Sequence, residues 1–290
     1  MTNPINSLLK LILPIALVYT AFSFLGPIGG FLAFLVVLLV TAYFNRATIY
    51  ANRANKKYHN GDFDGALIDL KAAVTANPKA VNIRGSYAYL LLKVGHTEEA
   101  AVQINEALKS AQLQMDRNTL RVTKALVLWK QDHLDEAIEQ LVDLMKVYET
   151  TNVYATLGFL YIDKGDLSKA LEFNLEAKNY NNNNAIIMDN LGTTYLLLED
   201  YDEAFEIYQQ VMKLKPTFPE AYYNYARVLD KMGDLEKALY MARHSLSLRF
   251  WNISTISKDE AETYLMELES KEKSLEITRT ENKNIPQNPT

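Results

Sequence analysis

The chain has no cysteine, which excludes a disulfide framework and any thiolate metal site. That absence fits every compartment and says nothing of redox environment. Glycine and proline are scarce, 11 and 8 in 290 residues, a composition that suits a helical array better than a turn-dense sandwich or barrel. Charge is missing from the front of the chain. Residues 1–44 hold Lys10 and no other Lys, Arg, Asp or Glu. From Asn45 onward 29 Lys and Arg are interspersed with 35 Asp and Glu, a formal balance of −6, which leaves no basic footprint for nucleic acid. Catalytic signatures are also missing. Gly26-Pro27-Ile28-Gly29-Gly30 lacks the Lys-Ser/Thr of a phosphate loop, and no Gly-x-Ser-x-Gly elbow occurs. Adjacent acids such as Glu98-Glu99, Asp135-Glu136 and Asp202-Glu203 point about 100° apart on a helix, so they do not pair as general acid and base. The expectation is a non-enzyme with no catalytic residue, cofactor or metal ligand to assign.

What the front does have is apolar length. Leu8 to Phe24 is almost wholly apolar, and a second apolar run follows from Phe31 to Phe44. As a single helix the stretch would reach about 50 Å, well beyond a hydrocarbon core of about 30 Å. The Gly/Pro cluster between the runs offers a turn, so residues 1–45 are expected to form a transmembrane helical hairpin whose arms are slightly short for a bilayer. Lys10 can snorkel to one interface, and Tyr43 stands where an aromatic anchor belongs. A cleavable signal peptide would have a shorter apolar core before its small-residue site; a buried soluble hairpin is the other alternative. Arg46, Arg53, Lys56 and Lys57 follow the second arm, and positive-inside bias puts everything after Asn45 on the cytoplasmic side. One span or two would give the same side.

The rest of the chain repeats. Ala66, Ala100, Ala137, Ala170, Ala204 and Ala238 are separated by 34, 37, 33, 34 and 34 residues, and Gly-Asp or Glu-Asp precedes most of them. A fixed period of this length marks stacked helical hairpins. Met188, Leu191, Gly192, Tyr195, Ala204, Tyr208 and Pro216 resemble the tetratricopeptide-repeat pattern over 185–218, with weaker copies before and after. The resemblance implies an all-α fold, a superhelical α-α solenoid of six repeats over 46–252; the acid-rich start Ser257-Lys258-Asp259-Glu260 with Ala261, Tyr264, Leu265 and Leu268 at helical spacing reads as a capping helix over 253–276, and the polar 277–290 as a disordered tail. Small residues (Ala54, Ala88, Ala125, Gly158, Gly192 and Ala226) are expected where two helices cross closely. Pro78 and Pro216 are placed to stop second helices. The 37-residue spacing implies about three extra residues near Ser110–Arg117, in a longer loop or a longer second helix. The Asn179–Asn184 run reads as a polar connector using asparagine's tolerance of left-handed backbone. His96 and His133 share one turn position in neighbouring repeats and read as solvated turn residues.

The resemblance also implies that first helices line a concave groove. By position that groove takes Asn55, Tyr58, Tyr89, Leu92, Trp129, Phe159, Ile162, Leu196, Tyr223 and Arg227, with Trp129 and Phe159 as anchors for an amphipathic helix or an extended apolar peptide. These residues could instead be inter-repeat core. Ala51 stands where a chaperone-tail clamp has its first Lys, and Val122 and Lys124 do not restore that pattern, so docking of acidic chaperone tails is not expected. The functional expectation is a membrane-anchored scaffold that recruits a protein or peptide to the cytoplasmic face. The alternative is a self-assembling membrane platform built by repeat-repeat packing, a homo-oligomer.

Overall fold

The structure, a computed structural model, describes residues 4–283, with side-chain surroundings for 12–278. Among the described residues every regular element is an α-helix. The apolar front is α1 (Pro4–Phe44), broken at Gly26, which adopts φ 69° and ψ −168°. A side chain there would be strained, so glycine is required by the backbone itself. Beyond the break the chain folds back on itself. A Cβ on Gly30 would lie 2.9 Å from Phe22 Cβ, although residues eight apart in one helix are separated by about 12 Å. Most apolar side chains of 12–44 are exposed. The side chain of Lys10, assigned to an interface from sequence, lies outside the described ones.

Six helical pairs follow: α2 (Arg46–His59) and α3 (Phe63–Ala76); α4 (Val81–Lys93) and α5 (Thr97–Ser110); α6 (Gln114–Lys130) and α7 (Leu134–Met145); α8 (Thr151–Asp163) and α9 (Leu167–Tyr180); α10 (Ala185–Leu197) and α11 (Tyr201–Lys213); α12 (Pro219–Lys231) and α13 (Leu235–Leu246). The last helix is α14 (Lys258–Lys283). Contacts divide the chain into two compact units, Met1–Tyr87 and Ala88–Thr290.

The repeated residues explain the pairing. All six periodic alanines are fully buried. Asp62, Asp166, Asp200 and Asp234 each cap the second helix of a pair, their carboxylates accepting the backbone N–H three residues on. The residue before each cap adopts positive φ; at Glu199 (φ 61°) a non-glycine bears that conformation, as Asp132 (φ 63°) does in the corresponding turn. At Gly192 an added Cβ would sit 2.8 Å from the Tyr208 ring, so the close approach of α10 and α11 depends on the missing side chain.

Three expectations are corrected. The extra residues of the 37-residue spacing lengthen a first helix: α6 has 17 residues where α4, α8, α10 and α12 have 13, while α5 ends at Ser110. None of the Asn179–Asn184 run uses left-handed backbone. Instead Asn184 caps α10 by accepting the N–H of Ile186 and Ile187, and Asn181 Nδ2 donates to Thr151 Oγ1 at 3.0 Å. The helix expected to end at 276 continues to Lys283 in α14; residues 284–290 of the tail expected to be disordered lie outside the described residues. The α14 start is a reciprocal capping box: Glu260 N–H donates to Ser257 Oγ at 3.1 Å, and Ser257 N–H donates to Glu260 Oε2 at 2.7 Å.

Candidate partner groove

Asn55 and Tyr58 belong to the first unit. Asn55 is exposed, and the half-buried Tyr58 ring meets Phe63 edge-on at 5.2 Å. Beside them the buried Asp69 carboxylate takes Arg53 Nε at 2.7 Å, a second Arg53 nitrogen, and Lys57 Nζ at 3.0 Å. The hydrogen bonds from Arg53 hold its pKa down to about 2, against the opposing effect of burial.

The other predicted groove residues lie in the second unit, on successive first helices that touch one another from α6 through α8 and α10 to α12. Trp129 and Phe159 come together, with ring centroids 4.8 Å apart. Trp129 is only 9% exposed, and its Nε1–H donates to Asp163 Oδ2 at 2.9 Å. Leu92 is fully buried and Leu196 is 5% exposed; Leu196 belongs to the core around Met188, Tyr208 and Leu229. Ile162 and Phe159 are half-buried, and Tyr89 is exposed. Tyr223 faces the chain's own last helix, its ring 5.4 Å from that of Tyr264 on α14. Arg227 lies over Tyr223 at 5.7 Å and donates to Asn224 Oδ1 at 3.3 Å. The eight positions in the second unit therefore do not form one open surface. Trp129–Phe159 is a joined pair, Leu92 and Leu196 are core, and Tyr223 and Arg227 lie beside the capping helix.

A turn that no sequence signal marks bridges the end of α4 and the start of α12. Between α13 and α14, Trp251–Ser254 forms a tight turn: Ser254 N–H donates to Trp251 O at 2.9 Å, and Trp251 N–H donates to Ser254 Oγ at 3.1 Å. On one side Asn252 caps the end of α4. Its N–H donates to Lys93 O at 2.9 Å and its Nδ2 to Leu92 O at 3.0 Å, supplying donors to carbonyls that a helix end leaves without intrahelical partners. On the other side Thr255 N–H donates to Glu220 Oε1 at 3.1 Å, at the start of α12. Three residues span at most about 11 Å, whereas five helices in a straight row at about 8–10 Å spacing would put α4 and α12 more than about 30 Å apart. The first helices of the second unit must therefore curl around this turn. Lys130 agrees: burial lowers its pKa, and the charges of Asp163, Asp132 and Glu220 oppose that shift.

The tetratricopeptide-repeat family model matches residues 195–241. A tetratricopeptide repeat protein of Parabacteroides merdae superposes with a TM-score of 0.64 over 88% of this chain and 98% of that one, at 13% identity. The helical pairs build the tetratricopeptide-repeat fold. The chain is also similar to BBSome complex member BBS4 of Bos taurus, 30% identical over 105 residues, covering 36% of this chain and 20% of that protein. To the TPR repeat-containing protein MJ1428 of Methanocaldococcus jannaschii it is 23% identical over 202 residues, covering 67% of this chain and 35% of that protein. The chain thus spans between a fifth and about a third of the length of these curated relatives.

Within the tetratricopeptide array a buried polar ladder replaces part of the apolar contact. Asn190 Nδ2 donates to Ala155 O at 2.8 Å, and Asn174 Nδ2 donates to Thr194 Oγ1 at 3.1 Å. Asn224 Nδ2 reaches Thr193 Oγ1 at 3.0 Å; Thr193 Oγ1 and Tyr208 Oη are 3.0 Å apart, as are Tyr208 Oη and Asp189 Oδ1. Burial, and then the charge of Glu220, push the Asp189 carboxyl up to about 8, with the Tyr208 hydrogen bond opposing them. Glu220 is likewise raised by burial, with Ser254, Thr255 and Lys130 partly offsetting it. The one legible signal for the ladder is that Asn190 and Asn224 stand one 34-residue period apart.

Proposed function

We propose that this chain is a membrane-anchored tetratricopeptide scaffold that holds a polypeptide partner along the curled face of its first helices. The observation carrying the reading is that this face already grips polypeptide: Leu92, Lys93 and Glu220 bind the backbone or amide groups of the turn at 251–255. Helix-end carbonyls and a carboxylate acceptor recognise peptide groups in general, whatever chain supplies them. Trp129 on α6 and Phe159 on α8 supply an aromatic pair on neighbouring first helices. The BBS4 relative is described as a member of a complex, which accords with a scaffold rather than a catalyst.

The anchor reading rests on α1. Its described side chains from 12 to 44 are mostly apolar and mostly exposed, and so large an exposed apolar surface calls for a lipid or protein cover. At its end the Arg46 guanidinium lies 4.1 Å from the Tyr43 ring centroid, and its Nη1 donates to Tyr43 O at 3.2 Å, an aromatic–cation pairing that suits a membrane interface. With the basic residues of α2 just beyond, the repeats would face the cytoplasm.

A photo-reactive benzoylphenylalanine at Phe159 in the full-length chain, irradiated in membranes, tests both parts. The reading expects one discrete adduct with a second polypeptide, formed only when residues 1–44 are present. Adducts solely with further copies of this chain would favour the self-assembling platform, and no adduct at all would contradict the groove.

A further inference from the structure

The turn at 251–255 joins parts of the chain that are remote in sequence: Asn252 and Leu92 are 160 residues apart. It is held at three points and closed internally at a fourth. Asn252 binds two carbonyls at the end of α4, and its Nδ2 also lies 3.4 Å from Thr97 Oγ1. The Trp251 ring lies between two cations, Lys93 Nζ at 4.0 Å and the Arg249 guanidinium at 4.4 Å from its centroid. Thr255 N–H is taken by Glu220 Oε1. Ser254 closes the turn internally. The contacts just named are polar or cation–aromatic. Such contacts exchange readily for equivalent ones from another polypeptide, because a displaced donor or acceptor is satisfied again by the newcomer or by water. A core element could not leave so easily.

We propose that the segment Arg249–Ile256 is an internal ligand of the groove, which an external partner must displace. This rests on the reading of the curled face as a polypeptide site. The geometry also describes the competing ligand: a turn presenting an aromatic ring to Lys93, a primary amide to the end of α4 and a backbone N–H to Glu220. An α-helix of about 10–12 Å diameter does not fit while α4 and α12 are bridged by three residues. Displacement reduces apparent affinity in proportion to the fraction of molecules with the segment released, so the segment sets a threshold that weak partners do not cross.

The absence of cysteine makes the test direct. Thr97→Cys/Asn252→Cys places the only two thiols where the two native side chains now meet. In the full-length chain in detergent, mild oxidation should cross-link them within the monomer. A fluorescein-labelled synthetic peptide of residues 247–258 should then bind the reduced form at least tenfold more tightly than the oxidised form. Failure to cross-link in a variant of unchanged helicity would overturn the proposal. Equal binding to both forms, abolished by Phe159→Ala, would sink the internal ligand and leave the groove reading intact. A cross-link with no binding to either form would sink both. In the unmodified chain, saturating peptide should accelerate hydrogen exchange at the N–H groups of Asn252 and Thr255; unaltered exchange with peptide bound would also contradict displacement.

Discussion

Glu199 and Asp132 occupy turn positions where their counterparts Gly165 and Gly233 also have positive φ. A left-handed non-glycine residue costs about 1–2 kcal/mol, partly returned by glycine's larger entropy loss on folding of about 0.5–1 kcal/mol. Glu199→Gly and Asp132→Gly should therefore each stabilise the protein by about 0.5–1 kcal/mol, measurable as a higher urea midpoint with unchanged slope. Asp189 supplies a second test. Its folded pKa, about 8, lies above the ordinary carboxylate value of about 3.9. Folding thus binds a proton, and stability falls as pH rises from about 4 to about 8. Asp189→Asn should have a higher melting temperature than the parent at pH 8, with the advantage shrinking toward pH 5. A constant difference across that range would contradict the assignment. The buried alanines were legible in the sequence because each recurs at the same phase of a 34-residue period. The Asp189–Tyr208–Thr193 relay was not: its members lie on two helices, and each alone reads as an ordinary helix residue.

At the scale of the element, caps and crossings determine stability. Ser257→Ala removes one half of the capping box of α14 and should cost about 1 kcal/mol. Gly192→Ala gains about 1 kcal/mol in helix propensity but drives a methyl into the Tyr208 ring, at an overpacking cost of about 1–3 kcal/mol. A net loss is expected by denaturant titration. Pairs of helices could be read from turn residues, since Gly-Asp and Glu-Asp mark both the left-handed residue and the cap. The lengthening of α6 could not. Ala111-Gln112-Leu113 carries no glycine or proline to fix where the loop ends, so the extra residues could have joined either neighbouring helix. The end of α14 was illegible for a related reason: Thr278 to Lys283 is polar, and polarity alone does not distinguish a helix from a tail.

For the whole molecule, the proposed anchor is tested apart from the helical array. Full-length protein should stay with membranes through an alkaline carbonate wash, and protein lacking residues 1–44 should appear in the wash. Release of the intact chain would remove the anchor from the account. The solenoid class was legible from periodicity, since stacked pairs can bury their apolar faces only against neighbours. The bridge from the end of α4 to the start of α12 was not legible. It depends on contacts such as Asn252 with Leu92, and nothing in a single sequence links residues so far apart. The predicted groove list accordingly mixed an aromatic pair, two core leucines and two residues beside the capping helix. The first helices of the second unit curl around the turn at 251–255. Residue-resolved hydrogen exchange on the unmodified full-length chain tests this most directly. The account predicts that the N–H groups of Asn252 and Thr255 exchange far more slowly than those of an unstructured peptide of the same sequence; exchange at the free-peptide rate would contradict it.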